Sequence, residues 1–275
     1  MSGPETYLGK FFSDEVQDRI VSENPQLKGG DPTKYCPTCG TTGTYVWQGE
    51  EHVCDCVQQM HLHMHYLHSG IGTTYQRLNW NDYTGPTNID DLVDTYVGNH
   101  QAYVSRGVGL FFTGDYGTGK TMVANLMLKE FVKRGYTCYA TTFAQMIEMY
   151  TAGWKKASEQ RVFERRFKES QILLLDDVGR DWMMSQELNK AGGRRSTLEE
   201  STFDTILRTR VQYGRPTFIT TNLTTDDLQT SYGGAVLSLL KEKSILVKFI
   251  GEDHRPKANT RELEEIRKGE VRPIV

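Results

Sequence analysis

The stretch Gly114-Asp115-Tyr116-Gly117-Thr118-Gly119-Lys120-Thr121 carries the clearest chemistry in this chain. It fits the phosphate-binding pattern G-x-x-x-x-G-K-[ST] at every fixed position. Glycines at this spacing let the backbone curl until its N–H groups point inward, making a nest for phosphate oxygens, and a following helix adds positive potential. Lys120 is placed to reach the terminal phosphates of a nucleotide, and the Thr121 hydroxyl to take one site on a magnesium ion. A plain glycine-rich turn is the alternative, and the flanks argue against it. Gly109 to Thr113 is a short apolar run that reads as a buried strand. Met122 to Gly135 has helical periodicity, with Val123, Leu126, Phe131 and Val132 available for one face. The expected ligand is a nucleoside triphosphate.

A second set of residues completes that chemistry. Ile172-Leu173-Leu174-Leu175 ends in Asp176 and Asp177, as a buried parallel strand would if it delivered acids to a nucleotide site. Asp176 is the expected magnesium ligand. Asp177 is expected to orient and polarise the attacking water, because phosphoryl transfer needs positioning and charge stabilisation above all. Pro216-Thr217-Phe218-Ile219-Thr220-Thr221 is another apolar strand, ending in Asn222. That amide either hydrogen-bonds the terminal phosphate or water, or caps the following turn.

The cysteines suggest a separate metal centre. Cys36-Pro37-Thr38-Cys39 and Cys54-Asp55-Cys56 form two close pairs around a Gly/Thr-rich, hairpin-like stretch, Gly40 to Val53. Two such knuckles can place four thiolates around one structural zinc, although C-x-C is tighter than the usual C-x-x-C. Metal binding would also supply folding free energy to so small a module. The alternatives are free thiols or iron–sulfur ligation. His61, His65 and His68 share a face of the helix expected over Val57 to Ser69, and read as a solvated face; His52 or His61 replacing one cysteine is the other option. The fifth cysteine, Cys138, belongs to a strand over Thr137 to Thr141 and reads as core.

These residues need a scaffold, and the 275-residue chain is long enough for one large domain and a smaller one. Charged residues make up 24% and the formal net charge is −3, so a generally basic nucleic-acid coat is excluded and any such contact must be local. The most basic stretch is a helix expected over Trp154 to Ser170, with Lys155, Lys156, Arg161, Arg165, Arg166 and Lys168. It is either a solvated face or a phosphate-backbone contact. Val178 to Thr197, with Trp182, Met183, Met184, Arg194 and Arg195, reads as a long functional loop. Tyr75 to Tyr83 reads as an apolar clip entering the large domain. Helices are also expected over Phe12 to Ser22, Asp90 to Ser105, Phe143 to Tyr150, Leu198 to Tyr213, Asp226 to Thr230, Gly234 to Lys243 and Arg261 to Lys268, with a last strand over Ile245 to Ile250. No run has the length of a membrane span and Met1 to Ile20 lacks a signal-peptide core, so the cytoplasm is the expected compartment.

With the phosphate loop, I-L-L-L-D-D-V-G and P-T-F-I-T-T-N in this order, the chain resembles the DnaC/DnaI-type AAA+ ATPases that load replicative helicases, and their IstB-type transposition relatives. The resemblance covers about Lys34 to Pro256, and the cysteine module with the clip is similar to phage-encoded loaders. It implies an α/β fold, with a five-stranded parallel sheet between helices and a small zinc-binding module. It implies ATP, magnesium, single-stranded DNA and a hexameric DnaB-type helicase as ligands and partners, with self-association on helicase or DNA. The domain division it suggests is an arm (1–34), a zinc module docking the helicase (35–69), the ATPase domain (70–256) and a charged tail (257–275). By the same resemblance Asn222 is the sensor-1 residue and Arg255 the family's closing arginine. One departure stands out. Ala235 and Leu239 occupy positions where the family carries arginines that complete a neighbouring site. Either hydrolysis is weak, or Arg208, Arg210, Arg215 or a partner supplies the charge. The readings weighed against a loader are an IstB-like ATPase on duplex DNA, a nucleotide-gated protein adaptor and, last, a metabolic kinase.

Overall fold

The computed structural model describes residues 43–85, 87–154, 156–179, 197–268, 272 and 274. They fall into two units, one holding the residues up to His68 with Gly72–Leu78 and those from Arg272 onward, the other Ser69–Ile71 and Asn79–Val271. The arm helix expected over Phe12 to Ser22, the pair Cys36 and Cys39, and nearly all of the long loop after Val178 lie outside the described residues.

In the smaller unit, β1 (Thr44–Trp47) and β2 (Glu50–Val53) pair antiparallel, with Thr44 opposite Val53. Gln48 and Gly49 both take positive φ, 52° and 85°, the requirement of a two-residue turn that matches strand twist. The hairpin expected from the Gly/Thr-rich stretch is therefore present. Helix α1 (Asp55–His68) follows, then the short α2 (Thr73–Gln76). His61, His65 and His68 are half-buried rather than solvated. Burial, with a smaller contribution from His61, pulls His65 down to about 4.

The larger unit is built on five parallel strands: β3 (Gly109–Gly114), β4 (Cys138–Thr142), β5 (Ile172–Val178), β6 (Thr217–Thr221) and β7 (Ser244–Phe249). Their order is β4-β5-β6-β3-β7. Every strand expected from an apolar run is found, within one or two residues at its ends. The runs Leu110-Phe111-Phe112 and Ile172-Leu173-Leu174-Leu175 are buried throughout, as parallel strands covered on both faces must be. Cys138 is buried at the start of β4, and burial pushes its thiol well above the usual range.

Helices cover the sheet. Helix α3 (Thr87–Gly98) and α4 (His100–Ser105) replace the single helix expected before β3. The break falls at Gly98-Asn99, where glycine weakens the helix and the Asn99 amide donates to the Thr95 carbonyl at 2.9 Å. Helix α5 (Lys120–Lys133) buries Val123, Ala124, Leu126, Met127, Leu128 and Phe131. Its last turn ends at Gly135, whose φ of 83° suits the left-handed end of a helix.

Helix α6 (Phe143–Gly153) is the helix expected over Phe143 to Tyr150, whereas the one expected over Trp154 to Ser170 begins only as α7 (Ala157–Phe163) and widens into a π turn at Glu164–Glu169. Arg210 accounts for the widening. It lies near the end of α8 (Thr197–Gln212), fully buried, and its guanidinium donates to the carbonyls of Phe167, Ser170, Gln171 and Pro216 and to Thr217 Oγ1. The carbonyls of the π turn and its exit are thus satisfied by a side chain rather than by a regular helical ladder. Burial brings Arg210 down to about 9, with Arg215 adding to the shift.

Helix α9 (Thr225–Lys243) joins the two short helices expected after β6 in one run, kinked at Gly233, which has non-helical φ/ψ of 80° and 159°. Helix α10 (Arg255–Lys268) begins six residues before the expected exposed helix and buries none of its residues.

Candidate functional site

The phosphate loop lies between β3 and α5, as its flanks require. Gly117 and Gly119 have φ of 73° and 95°, so the loop turns through backbone that side-chain-bearing residues rarely adopt. Both glycines are also approached closely. A Cβ on Gly117 would meet the Asp253 carboxylate at 1.8 Å, and one on Gly119 would meet the Tyr83 ring at 3.3 Å. Thr118 Oγ1 donates to the Asp115 carbonyl at 2.8 Å and ties the turn internally. Lys120 is buried, its ammonium donating to the carbonyls of Gly114 and Asp115 at 2.8 and 2.6 Å. Asp115 and Tyr116 are exposed at the loop tip.

The acids meet this loop from β5. Thr121 Oγ1 donates to Asp176 Oδ1 at 2.8 Å, so the two expected magnesium ligands already touch. A hydroxyl and a carboxylate are hard oxygen donors, and magnesium commonly takes one or two such groups beside substrate phosphates. The residues therefore fit that ion. Burial raises the Asp176 carboxyl above its usual range, against hydrogen bonds from Thr220 and Thr121 that favour the charged form. A bound cation would reverse the balance.

Asp177 sits on a bulge. Leu175 pairs with Ile219 and Val178 with Thr221, so β5 carries one more residue than β6 across this interval. Asp177 absorbs it with φ of 55°, a conformation that costs a non-glycine residue on the order of 1–2 kcal/mol. Thr220 holds the bulge: its hydroxyl accepts from the Asp177 N–H at 3.0 Å and donates to Asp176 Oδ1. Neither the bulge nor this role of Thr220 was legible in sequence, because a threonine at the end of a strand reads simply as a strand former.

Charge converges on Lys120. Burial lowers its pKa, Asp177 and Asp115 oppose that, Arg255 adds to the lowering, and Asp176 opposes it weakly. Thus Asp177 and Arg255, distant in sequence, act on the same ammonium. The Arg255 approach comes from the segment before α10: the His254 N–H donates to the Gly117 carbonyl at 3.0 Å, and Asp253 Oδ1 accepts from the Arg255 N–H at 2.9 Å. Asn222 lies directly after β6, half-buried, where Thr113 Oγ1 at the end of β3 donates to the carbonyl of the next residue, Leu223. The strand ends of β3, β5 and β6 therefore bring Lys120, Thr121, Asp176, Asp177 and Asn222 to one edge of the sheet. This is where ligands bind open α/β folds.

The charge substitutes considered for the absent arginines fare differently. Arg210 is locked inside the protein and cannot reach a neighbouring molecule, which corrects that expectation. Arg208 is exposed and pairs with Asp204 at 2.8 Å, while Arg215 donates to the Lys168 carbonyl and lies over the Tyr213 ring. Ala235 is exposed and Leu239 packs against the core.

Of the cysteines expected to bind zinc, Cys54 is buried and its N–H donates to the Gly43 carbonyl at 2.8 Å. Cys56 lies in the first turn of α1. Among the described residues no group of three or more His, Cys, Asp or Glu side chains is positioned to hold a metal. No helix of the described residues is long and apolar enough to cross a membrane.

Residues 75–258 match the family model described as IstB-like ATP binding protein. The replicative helicase loader DnaI of Bacillus subtilis is 21% identical over 162 residues, covering 58% of this chain and 47% of that protein. An insertion sequence IS21-like putative ATP-binding protein of Bacteroides fragilis is 32% identical over 76 residues, covering 28% of this chain and 38% of the other. The chain thus spans half or less of the length of these curated relatives. Among solved structures, the DnaC helicase loader superposes with a TM-score of 0.55 at 22% identity, over 65% of this chain and all of that one. Domain III of the Thermotoga maritima replication initiation protein DnaA gives 0.51 at 20% identity, over 73% of this chain and 77% of that one.

Proposed function

The chain belongs to the IstB-like ATP-binding family, an AAA+ P-loop ATPase group, and from that premise we propose that it loads a hexameric DnaB-type replicative helicase onto single-stranded DNA. In this reading Gly114 to Thr121 hold the ATP phosphates. Lys120 and Arg255 neutralise the terminal phosphate, Thr121 and Asp176 hold magnesium, and Asp177 with Asn222 orients the attacking water. Magnesium would supply charge neutralisation at the phosphates. A zinc held by Cys36, Cys39, Cys54 and Cys56 would stiffen the part of the chain that docks the helicase. Self-association on DNA or helicase belongs to the same reading.

The observation that supports a DNA partner is the surface of α6 and α7. Trp154 is 64% exposed at the end of α6, and Arg161 and Arg165 are exposed on the turns that follow. Their basic neighbours are already engaged: Lys156 with Glu159, Lys168 with Glu164, and Arg166 over the Tyr139 ring. An exposed indole at the end of α6, with two exposed guanidiniums on α7 and its π turn that make no ion pair among the described residues, is a combination that stacks on bases and tracks a phosphate backbone. It suits a single strand better than a duplex, whose bases are already stacked.

Binding of fluorescent single- and double-stranded oligonucleotides, with ATP, ADP or no nucleotide, tests this for wild type and Lys120→Ala. The expected result is ATP-dependent binding that prefers the single strand and is lost in the variant. Preference for duplex would transfer the assignment to an IstB-like transposition ATPase, which the family match and the IS21-like relative also support. Absence of binding to either would leave a nucleotide-gated protein adaptor.

A further inference from the structure

Helix α10 is oddly supported. It has fourteen residues and none is buried, and isolated helices of that length are marginal in water. Leu263 and Ile266 are 46% and 66% exposed, so apolar packing does not hold the helix in place. Its first turn is tied to the phosphate loop through His254, Asp253 and Gly117. Its middle is tied elsewhere. Arg261 Nη1 pairs with Asp82 Oδ1 at 2.9 Å, and the Asp82 side chain is only 8% exposed.

Asp82 is itself fixed. It ends the 3-10 turn Trp80–Asp82, where its Oδ2 accepts from the Asn79 N–H at 2.9 Å while the Asn79 side chain accepts from the Asn81 N–H. One carboxylate thus closes a capping box with one oxygen and grips α10 with the other. The adjacent residues bear on the same site: the Tyr83 ring packs on Gly119, and Thr84 Oγ1 lies 3.4 Å from His254 Nδ1. The turn before α3 and the start of α10 therefore flank the phosphate loop, linked by Thr84 and His254, while the Asp82–Arg261 ion pair ties the same turn to the middle of α10.

We propose that Asp82 is a positioning residue for the nucleotide site, holding α10 through Arg261 so that Arg255 faces the terminal phosphate. This rests on the reading of the loop as an ATP site. The work falls on Asp82 because Arg255 is exposed and begins a helix none of whose residues is buried. A charge near the protein surface stabilises a phosphate only if its direction is fixed beforehand, since otherwise ordering it costs side-chain entropy at each binding event.

The test measures ATP and ADP dissociation constants calorimetrically on the full chain. The proteins are wild type, Asp82→Asn, Arg261→Gln, Arg255→Ala and the double variant Asp82→Asn/Arg255→Ala. Asparagine keeps an oxygen for the Asn79 N–H, so the turn is preserved while the ion pair is lost. Asp82→Asn and Arg261→Gln are expected to weaken ATP by about five- to tenfold and ADP by less than about twofold, the loss of one charge-assisted contact. In the Arg255→Ala background Asp82→Asn is expected to add nothing, because it acts through Arg255. Equal losses for ATP and ADP, or full additivity with Arg255→Ala, would overturn the proposal. So would a drop in melting temperature with unchanged affinities. Tight ATP binding by wild type and both single variants alike would defeat the positioning role alone, whereas a wild type that binds neither nucleotide would defeat the ATP-site reading as well.

Discussion

Asp176 carries a burial cost that its hydrogen bonds do not fully offset. Two hydroxyls, from Thr121 and Thr220, donate to Asp176, yet burial still raises its pKa above the usual value. A folded-state pKa above the unfolded one means the carboxyl favours folding most below the unfolded value and loses that contribution as pH rises through the folded one. At neutral pH the charged form therefore costs stability. Asp176→Asn is expected to raise the melting temperature of the ligand-free chain, by more at pH 7 than at pH 4, while magnesium-dependent stabilisation by ATP disappears. Thermal unfolding at the two pH values, with and without ATP and magnesium, checks both halves. A lower melting temperature at pH 7 would mean that the hydroxyl bonds outweigh desolvation.

Among the elements, the π turn and its buried arginine form one construction. Arg210 donates to four carbonyls and a threonine hydroxyl in the interior, tying the exit of the π turn to the end of α8 and the approach to β6. Arg210→Met keeps much of the side-chain volume but strands those acceptors, each worth about 1–3 kcal/mol when buried without a donor. The expected loss is at least about 3 kcal/mol, read from denaturant unfolding. A loss under about 1 kcal/mol would show that water or relaxation replaces the guanidinium. The π turn was not legible because the basic run from Lys155 to Lys168 has helical composition throughout, and the cause of its irregularity lies more than forty residues downstream in Arg210. The strands were legible because parallel strands buried on both faces leave unbroken apolar runs. The loop, Thr121 and the paired acids were legible because phosphate and magnesium chemistry restricts residue type and spacing. Asp253, Tyr83 and the Asp82–Arg261 pair were not, since they meet the loop only through tertiary folding.

For the whole molecule, alanine and leucine at positions 235 and 239 bear on the expected rate of chemistry. Ala235 and Leu239 offer no charge to a neighbouring site, and Arg210 cannot leave the core. An arginine finger is worth about a thousandfold or more in phosphoryl transfer. The isolated protein is therefore expected to turn over ATP on the order of once per minute or less, measured as steady-state phosphate release; brisk hydrolysis without any partner would refute this. The strand order has a consequence of a different kind. β3, which leads into the phosphate loop, hydrogen-bonds only to strands that follow it by more than a hundred residues, Leu110 pairing with Phe218 and Ile245. Such distant pairings form late and slowly as a chain folds. While the ribosome is still producing β4 and β5, the loop already exists as sequence but its strand has no neighbours. Nucleotide binding is thus expected only once β6 and β7 have been synthesised, so ATP is expected not to stabilise a truncated product that ends before β6.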